Sequence, residues 1–391
     1  MELELWWLLA LPLFFGMGWL AARIDIKQLL KESRAMPSSY FRGLNFLLNE
    51  QPDKAIEAFI EVVKVEPQTI DLHFALGSLF RRQGEIERAI RMHQSLLERP
   101  DLPAGKRSAV VYELAQDFHR AGLLDRAEEL FSRLAGSDFE HASLSHLLQI
   151  YEQEKDWNKA INTCKRMESL SRQPYSKEIA QYWCELAASA LGASRFSDAQ
   201  AAIDRALSEY KLCVRANILA GDVAIAQGNR GEAVAAWKRV ESQNPACLSL
   251  VAERIAGALD EEGEAEQAQR LLQSYQEQYP SVDLLNTLFE RSLRDQGPQG
   301  ASELIKGELR RNPTLLGLDK LLEAQLLSAP PERRHDLELV KGLVHQHTRR
   351  LGMYRCEHCG FRAKQYYWRC PGCGKWETYS PRRTEAPESY A

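Results

Sequence analysis

The chain has 391 residues, of which 45% are hydrophobic and 27% charged, with a formal net charge of −4. That composition excludes a disordered chain and leaves ample apolar material for a buried core. Eight cysteines in so long a chain, four of them confined to its last 36 residues, exclude a disulfide-stapled scaffold and fit reduced thiols in a cytosolic setting.

The first element is an 18-residue apolar run from Leu5 to Ala22, LWWLLALPLFFGMGWLAA. As a helix rising about 1.5 Å per residue it covers roughly 27 Å, just sufficient for a bilayer core. Trp6, Trp7 and Trp19 fall near its ends, where indole rings favour the headgroup region, and Pro12, Gly16 and Gly18 are tolerated inside a span. Glu2 and Glu4 precede it and no A-x-A site follows, so residues 1–22 read as a retained anchor and not as a cleaved signal peptide. Arg23, Lys27, Lys31 and Arg34 make residues 23–35 a basic juxtamembrane linker, and the positive-inside rule puts everything after Ala22 in the cytoplasm. Gly18 and Ala22 form a small-xxx-small pair that can seat a partner helix, which leaves a homo-oligomer open.

Self-similarity decides the fold of residues 36–314, within a solenoid read over residues 36–348. Segments such as QPDKAIEAF, EIERAIRMH, LLDRAEELF and DWNKAINTC align on one alanine: Ala55, Ala89, Ala127, Ala160, Ala199, Ala233, Ala268 and Ala301. Successive spacings are 34, 38, 33, 39, 34, 35 and 33 residues, a helical-hairpin period with insertions at two joints. Twelve residues before each alanine lies Gly43, Gly77, Ala115, Leu148, Ala187, Gly221, Ala256 or Phe289. The mostly small choice at both places predicts a close crossing of the two helices of each hairpin. Four residues after each alanine comes a mostly bulky side chain, Phe59, His93, Phe131, Cys164, Ile203, Trp237, Leu272 or Ile305, expected to fill the groove of the preceding hairpin. Pro67, Pro100, Pro245, Pro280 and Pro313 are placed to end second helices. These positions resemble the tetratricopeptide repeat, in about eight hairpins, with Leu148 and Phe289 the departures from its small residue.

A solenoid of such hairpins offers an extended surface for binding protein or peptide. No catalytic constellation competes with that reading: the sequence has no Gly-rich phosphate loop, no H-E-x-x-H and no G-x-S-x-G. His73, His93, His119, His141 and His146 read as helix-surface or core residues, and Cys164, Cys184, Cys213 and Cys247 as small helical residues without ligand spacing.

The last element is Cys356-x2-Cys359 and Cys370-x2-Cys373, two knuckles separated by ten residues. Four thiolates close a tetrahedral site with no open position for substrate, so the metal contributes folding energy to a segment too short for its own core. Zinc is favoured on availability, and iron fits the same ligands. His345, His347 and His358 are read as surface residues beside the sulfurs. Residues 349–380 form this module and 381–391 read as a disordered tail. Between Arg349 and Arg383 nine basic residues face two acidic ones, about +7 in a chain of −4, so the remainder is about −11. Three readings follow: docking of the module on the acidic solenoid, contact with anionic headgroups, or nucleic-acid binding with Tyr366, Tyr367, Trp368 and Trp376 as stacking platforms. Tyr354, Phe361 and Trp376 read first as cover for the metal turns. Tethering disfavours nucleic acid, and rubredoxin-like electron transfer is a separate alternative that requires a cycling iron.

The order of parts (one span, a basic linker, helical hairpins, then YRCEHCGFRAKQYYWRCPGCGKWETY) resembles the lipopolysaccharide assembly protein B family of Gram-negative bacteria. FRGLNFLLNEQPDKAIEAF, LHFALGSLFRRQGEIERAIRMHQSL and the rubredoxin-like knuckles carry the likeness. It implies an all-α tetratricopeptide-repeat solenoid with an N-terminal transmembrane helix and a small rubredoxin-like or zinc-ribbon module, whose metal is bound by Cys356, Cys359, Cys370 and Cys373. It further implies a non-enzymatic adaptor at the bacterial inner membrane, regulating lipopolysaccharide synthesis by bringing the deacetylase LpxC to the protease FtsH. The partners implied are LpxC, FtsH, a PbgA/YejM-type membrane regulator and other lipopolysaccharide assembly proteins.

Overall fold

The computed structural model describes Met17 and residues 38–49, 51–65, 70–348, 353–381 and 383. The anchor expected at Leu5 to Ala22 lies outside the described residues except for Met17, as do the linker and all of the tail but 381 and 383. Among the described residues no helix is long and apolar enough to cross a membrane.

The described residues form two compact units divided between Glu154 and Lys155. The first contains α1 (Ser38–Leu48), α2 (Pro52–Val65), α3 (Ile70–Arg82), α4 (Ile86–Leu97), α5 (Ala104–Arg120), α6 (Leu124–Ser132) and α7 (Glu140–Glu154). The second contains α8 (Trp157–Ser171), α9 (Ser176–Gly192), α10 (Phe196–Glu209), α11 (Val214–Ala226) and α12 (Arg230–Gln243). It continues with a 3-10 turn (Pro245–Leu250), α13 (Ala252–Glu261), α14 (Ala265–Gln278), α15 (Val282–Arg311), α16 (Leu315–Ser328) and α17 (Pro331–Thr348). A two-stranded antiparallel ribbon of β1 (Tyr354–Arg355) and β2 (Arg362–Ala363) closes the chain.

The hairpin turns share one device. Gly84, Gly122, Gly228 and Gly263 take φ between 74° and 83°, where only glycine is unstrained. The next residue donates its N–H five positions back, from Glu85 to Phe80, Leu123 to Phe118, Asn229 to Ala224 and Glu264 to Leu259, at 2.8–2.9 Å. Ser194 occupies the same place after α9 with φ 57°, and Arg195 N–H reaches Ala190 at 2.9 Å. In α15 the turn is reduced to a bend at Gly297 (φ 74°) followed by Pro298. Helices end before Pro100, Pro245, Pro280 and Pro313 as the sequence predicts, and Pro67 lies outside the described residues.

All eight repeat alanines have zero exposure. The residues twelve positions earlier are buried as well, except Leu148, which is half-buried. The bulky residues four positions later are buried too. A Cβ built at Gly43 would stand 2.5 Å from Phe59 Cε1, and at Gly77 and Gly221 it would overlap the His93 imidazole and the Trp237 indole. In these three hairpins the ring therefore lies on the glycine of its own hairpin, a seat the sequence reading did not name. Trp237 fixes this seat by donating Nε1–H to Ile218 O of α11 at 3.1 Å. In the eighth hairpin Phe289 takes the place of the small residue and packs in one cluster with Ala301 and Ile305. The pair α16–α17 then extends the helical array past the eighth repeat alanine.

Replacing Gly221 by alanine forces a methyl group into the Trp237 ring and is expected to destabilise the second unit by about 1–3 kcal/mol. Ser194→Gly relieves left-handed strain and is expected to stabilise it by up to about 1 kcal/mol. Urea denaturation of the two variants against the parent checks both signs.

Candidate metal centre and its docking face

The two knuckles are built alike. Cys356 N–H donates to Phe361 O and Gly360 N–H to Cys356 O, both at 2.9 Å; Cys370 N–H donates to Lys375 O and Gly374 N–H to Cys370 O, both at 2.8 Å. Gly360 and Gly374 take φ 77° and 70°, which lets each loop close around its pair of sulfurs. The ribbon of β1 and β2 carries the first knuckle. Bridges between Cys356 and Tyr379 and between Arg369 and Trp376 bring the second alongside it.

All four sulfurs lie within 4.8 Å of one another. Cys356 Sγ is 3.8 Å from Cys373 Sγ, and Cys359 Sγ is 3.6 Å from Cys370 Sγ. Thiolates about 2.3 Å from a tetrahedral ion stand roughly 3.8 Å apart, so the constellation has the dimensions of a single four-sulfur site. Cys356 and Cys370 are buried, Cys373 is half-buried and Cys359 is exposed. The Thr378 hydroxyl, 3.3 Å from Cys356 Sγ, is placed to donate to a thiolate there. Among the described residues no histidine joins the cluster. His345 Nδ1 instead lies 3.2 Å from Asp319 Oδ2.

The module packs on the helices of its own unit, the second. Trp376 meets Tyr182 edge-on at 5.8 Å and Trp157 at 6.2 Å, while Trp157 and Tyr182 stack on each other at 5.7 Å. The expectation that Trp376 merely covers the metal turns is thus corrected: its ring leaves the module for the repeat. Trp368 packs against the core formed by α11 to α15 and meets Tyr366 edge-on at 5.0 Å. Tyr354 donates its hydroxyl to Asp283 at 2.9 Å, and Arg383 pairs with the same carboxylate at 3.0 Å. Phe361 does stay with the module, against Gly372.

A polar line threads this contact. Glu185 pairs with Arg215 at 2.9 Å, Arg215 donates to Gln181 Oε1 at 3.3 Å, and Gln181 donates Nε2–H to Glu377 Oε1 at 2.7 Å. Arg215 also stands about 6 Å from both the Trp368 and Trp376 rings, within cation–π range. Glu377 holds φ 50°, a left-handed conformation costing a non-glycine residue about 1–2 kcal/mol. Its N–H, donated to Trp368 O at 2.8 Å, anchors that turn. Burial raises the Glu377 carboxyl above its ordinary value, against the opposing hydrogen bond from Gln181. Sequence reasoning missed Gln181, Arg215 and Tyr182, because nothing in a repeat pattern distinguishes residues that meet a partner so far along the chain, as Gln181 meets Glu377.

Residues 354–381 match the family described as the rubredoxin metal binding domain, and residues 42–101 and 184–246 match tetratricopeptide repeat models. Lipopolysaccharide assembly protein B of Escherichia coli K12 is 33% identical over 97% of this chain and 98% of its own length. The chain belongs to the lipopolysaccharide assembly protein B family. The Haemophilus influenzae member is 28% identical, over 95% of this chain and 97% of that protein. A solved tetratricopeptide repeat protein from Parabacteroides merdae overlays with a TM-score of 0.33 at 13% identity, covering 78% of this chain and 100% of that one, too loose a likeness to argue from. This family member is accordingly an all-α tetratricopeptide-repeat protein with a rubredoxin-like module, and its four clustered cysteines are those of the matched metal-binding segment.

Two outcomes follow from the docking contact. Trp376→Ala is expected to weaken it by roughly 2–3 kcal/mol, less than a fully buried tryptophan because the ring is half-exposed, measured as faster hydrogen exchange in residues 354–381 with unchanged helix content. The raised Glu377 carboxyl means that the docked state binds more protons than the released one, so docking weakens as pH rises from about 4.5 through the raised value. Glu377→Gln keeps an oxygen for Gln181 and should remove that pH dependence; a slope that survives the substitution would assign it elsewhere.

Proposed function

We propose that Cys356, Cys359, Cys370 and Cys373 bind one zinc ion, and that this protein is a non-enzymatic adaptor in lipopolysaccharide biosynthesis. In this reading residues 1–22 anchor it in the bacterial inner membrane, residues 23–35 link, residues 36–348 form the repeat scaffold and residues 349–380 the metal module. The bulk of the chain lies in the cytoplasm, where it brings LpxC to FtsH under restraint by a PbgA/YejM-type regulator. The family carries the biological setting. The single structural observation behind the scaffold role is the edge-on seating of Trp376 against the stacked pair Trp157 and Tyr182, which makes module and repeat one composite surface.

The same seating weakens the nucleic-acid reading. Trp368 and Trp376 pack on the repeat, and Tyr366 and Tyr367 lie against aromatic neighbours of the module, Tyr367 6.1 Å from Tyr379. These rings are engaged with protein and are poor platforms for bases. A closed four-sulfur site likewise offers no open coordination position for substrate.

In cells, the Cys356→Ser/Cys359→Ser variant should lose the metal, unfold the module and lengthen the LpxC half-life severalfold while the helices persist by circular dichroism. Normal LpxC turnover in that variant would falsify the adaptor mechanism. Elemental analysis of purified protein should return one zinc per chain; a red, iron-loaded protein whose iron cycles would favour electron transfer.

A further inference from the structure

The first unit carries a cleft that the adaptor reading does not use. It has a volume of about 690 Å³ and opens between the ends of α3 and α5 and the flank of α7. Arg81, Arg82, His119, Arg120 and His146 line it, and no carboxylate does. Arg81 is held from behind: it donates to Asp117 Oδ1 at 2.7 Å and to Glu113 Oε2 at 2.5 Å. Asp117 is fully buried and shared with His93 Nδ1 at 2.5 Å, so these carboxylates are committed to the wall. Arg82 and Arg120 are exposed, and neither has a carboxylate partner among the described residues.

Cations in the last turn of a helix are favoured by its free carbonyls, which accounts for Arg82 on α3 or Arg120 on α5 taken singly. It does not account for two helix ends and a histidine from a third helix converging on one cavity. His146 lies stacked on Phe131 at 4.9 Å and edge-on to His119 at 5.5 Å, and its buried Nδ1 has no hydrogen-bond partner. Burial, with Arg120 beside His119 and with His119, Arg81 and Arg120 beside His146, holds both imidazoles below their ordinary value. Cationic groups that converge on one cavity repel one another and are stabilised by an anion placed among them.

We propose that this cleft binds a phosphate-bearing ligand, with the Arg82 and Arg120 guanidiniums on the phosphate oxygens and His119 and His146 as further donors. Guanidinium forks match phosphate geometry bidentately. A cavity of this volume takes more than a bare phosphate ion, so a diphosphate or a phosphomonoester with a small organic body suits it better.

The test is titration of the full-length protein in detergent with inorganic pyrophosphate, followed by calorimetry and by the imidazole resonances of His119 and His146. Dihexanoyl phosphatidic acid, with dihexanoyl phosphatidylcholine as control, forms a parallel arm. Saturable pyrophosphate binding that shifts both histidines and weakens at least tenfold in Arg82→Ala/Arg120→Ala supports a soluble phosphate ligand. The same dependence seen only with phosphatidic acid supports a lipid headgroup as the source of the phosphate. Both arginines are exposed, so the double variant should keep its melting temperature. Absence of saturable binding in both arms, or equal binding by the double variant, overturns the proposal.

Discussion

Close helix crossing at one alanine per hairpin is the constraint on which the structure depends. Each of the eight repeat alanines is wholly buried, and the facing position is glycine or alanine in six of the eight hairpins. Where it is glycine, the missing side chain is replaced by a ring: Phe59 over Gly43, His93 over Gly77, Trp237 over Gly221. The backbones approach because neither carries bulk, and the space beside the crossing is then filled by the residue one turn later on the second helix. Dispersion and apolar burial at these crossings, repeated along the chain, provide stability that no short helix has by itself.

That rigidity matters for the metal module, which has too few residues to sustain a core. Four sulfurs gather its two knuckles, and its remaining apolar surface is completed by the repeat. The contact is mostly aromatic, with Trp376, Trp368 and Tyr354 reaching the helices of the second unit, and its charges are few and half-buried. The opposite net charges of scaffold and module suggested electrostatic docking, and among the described residues Arg383 with Asp283 is an ion pair of that kind. The polar line from Glu185 through Arg215 and Gln181 to Glu377 works differently. It satisfies groups that burial would otherwise leave unpaired, which sets orientation more than affinity. A raised Glu377 carboxyl is the residual cost of that arrangement.

Histidines divide in the same way. His93 lies in the core, its ring on Gly77 and its Nδ1 on Asp117, whereas His119 and His146 border a cleft and have basic neighbours. One-dimensional periodicity sees all three as helix residues on a hydrophobic or half-hydrophobic face. Their different environments come from what stands on the next hairpin, which a period near 34 places beside them without specifying its charge.

The sequence by itself determined the helical-hairpin repeat, its register and the four-cysteine cluster, since each rests on local spacing: a fixed period, a small residue at a crossing, two Cys-x2-Cys-Gly turns. It also indicated which residues would be buried, and it did not show that Phe59, His93 and Trp237 lie on the glycines of their own hairpins, because burial in the same hairpin and in the preceding one leave the same periodic trace. Tertiary structure alone decided where the module sits, that Trp376 leaves the metal turns to meet Trp157 and Tyr182, and that Arg82, Arg120, His119 and His146 share one cavity. Those relations join residues tens to hundreds of positions apart, and side chains at such distances are brought together by packing, for which the chain carries no local spacing to read.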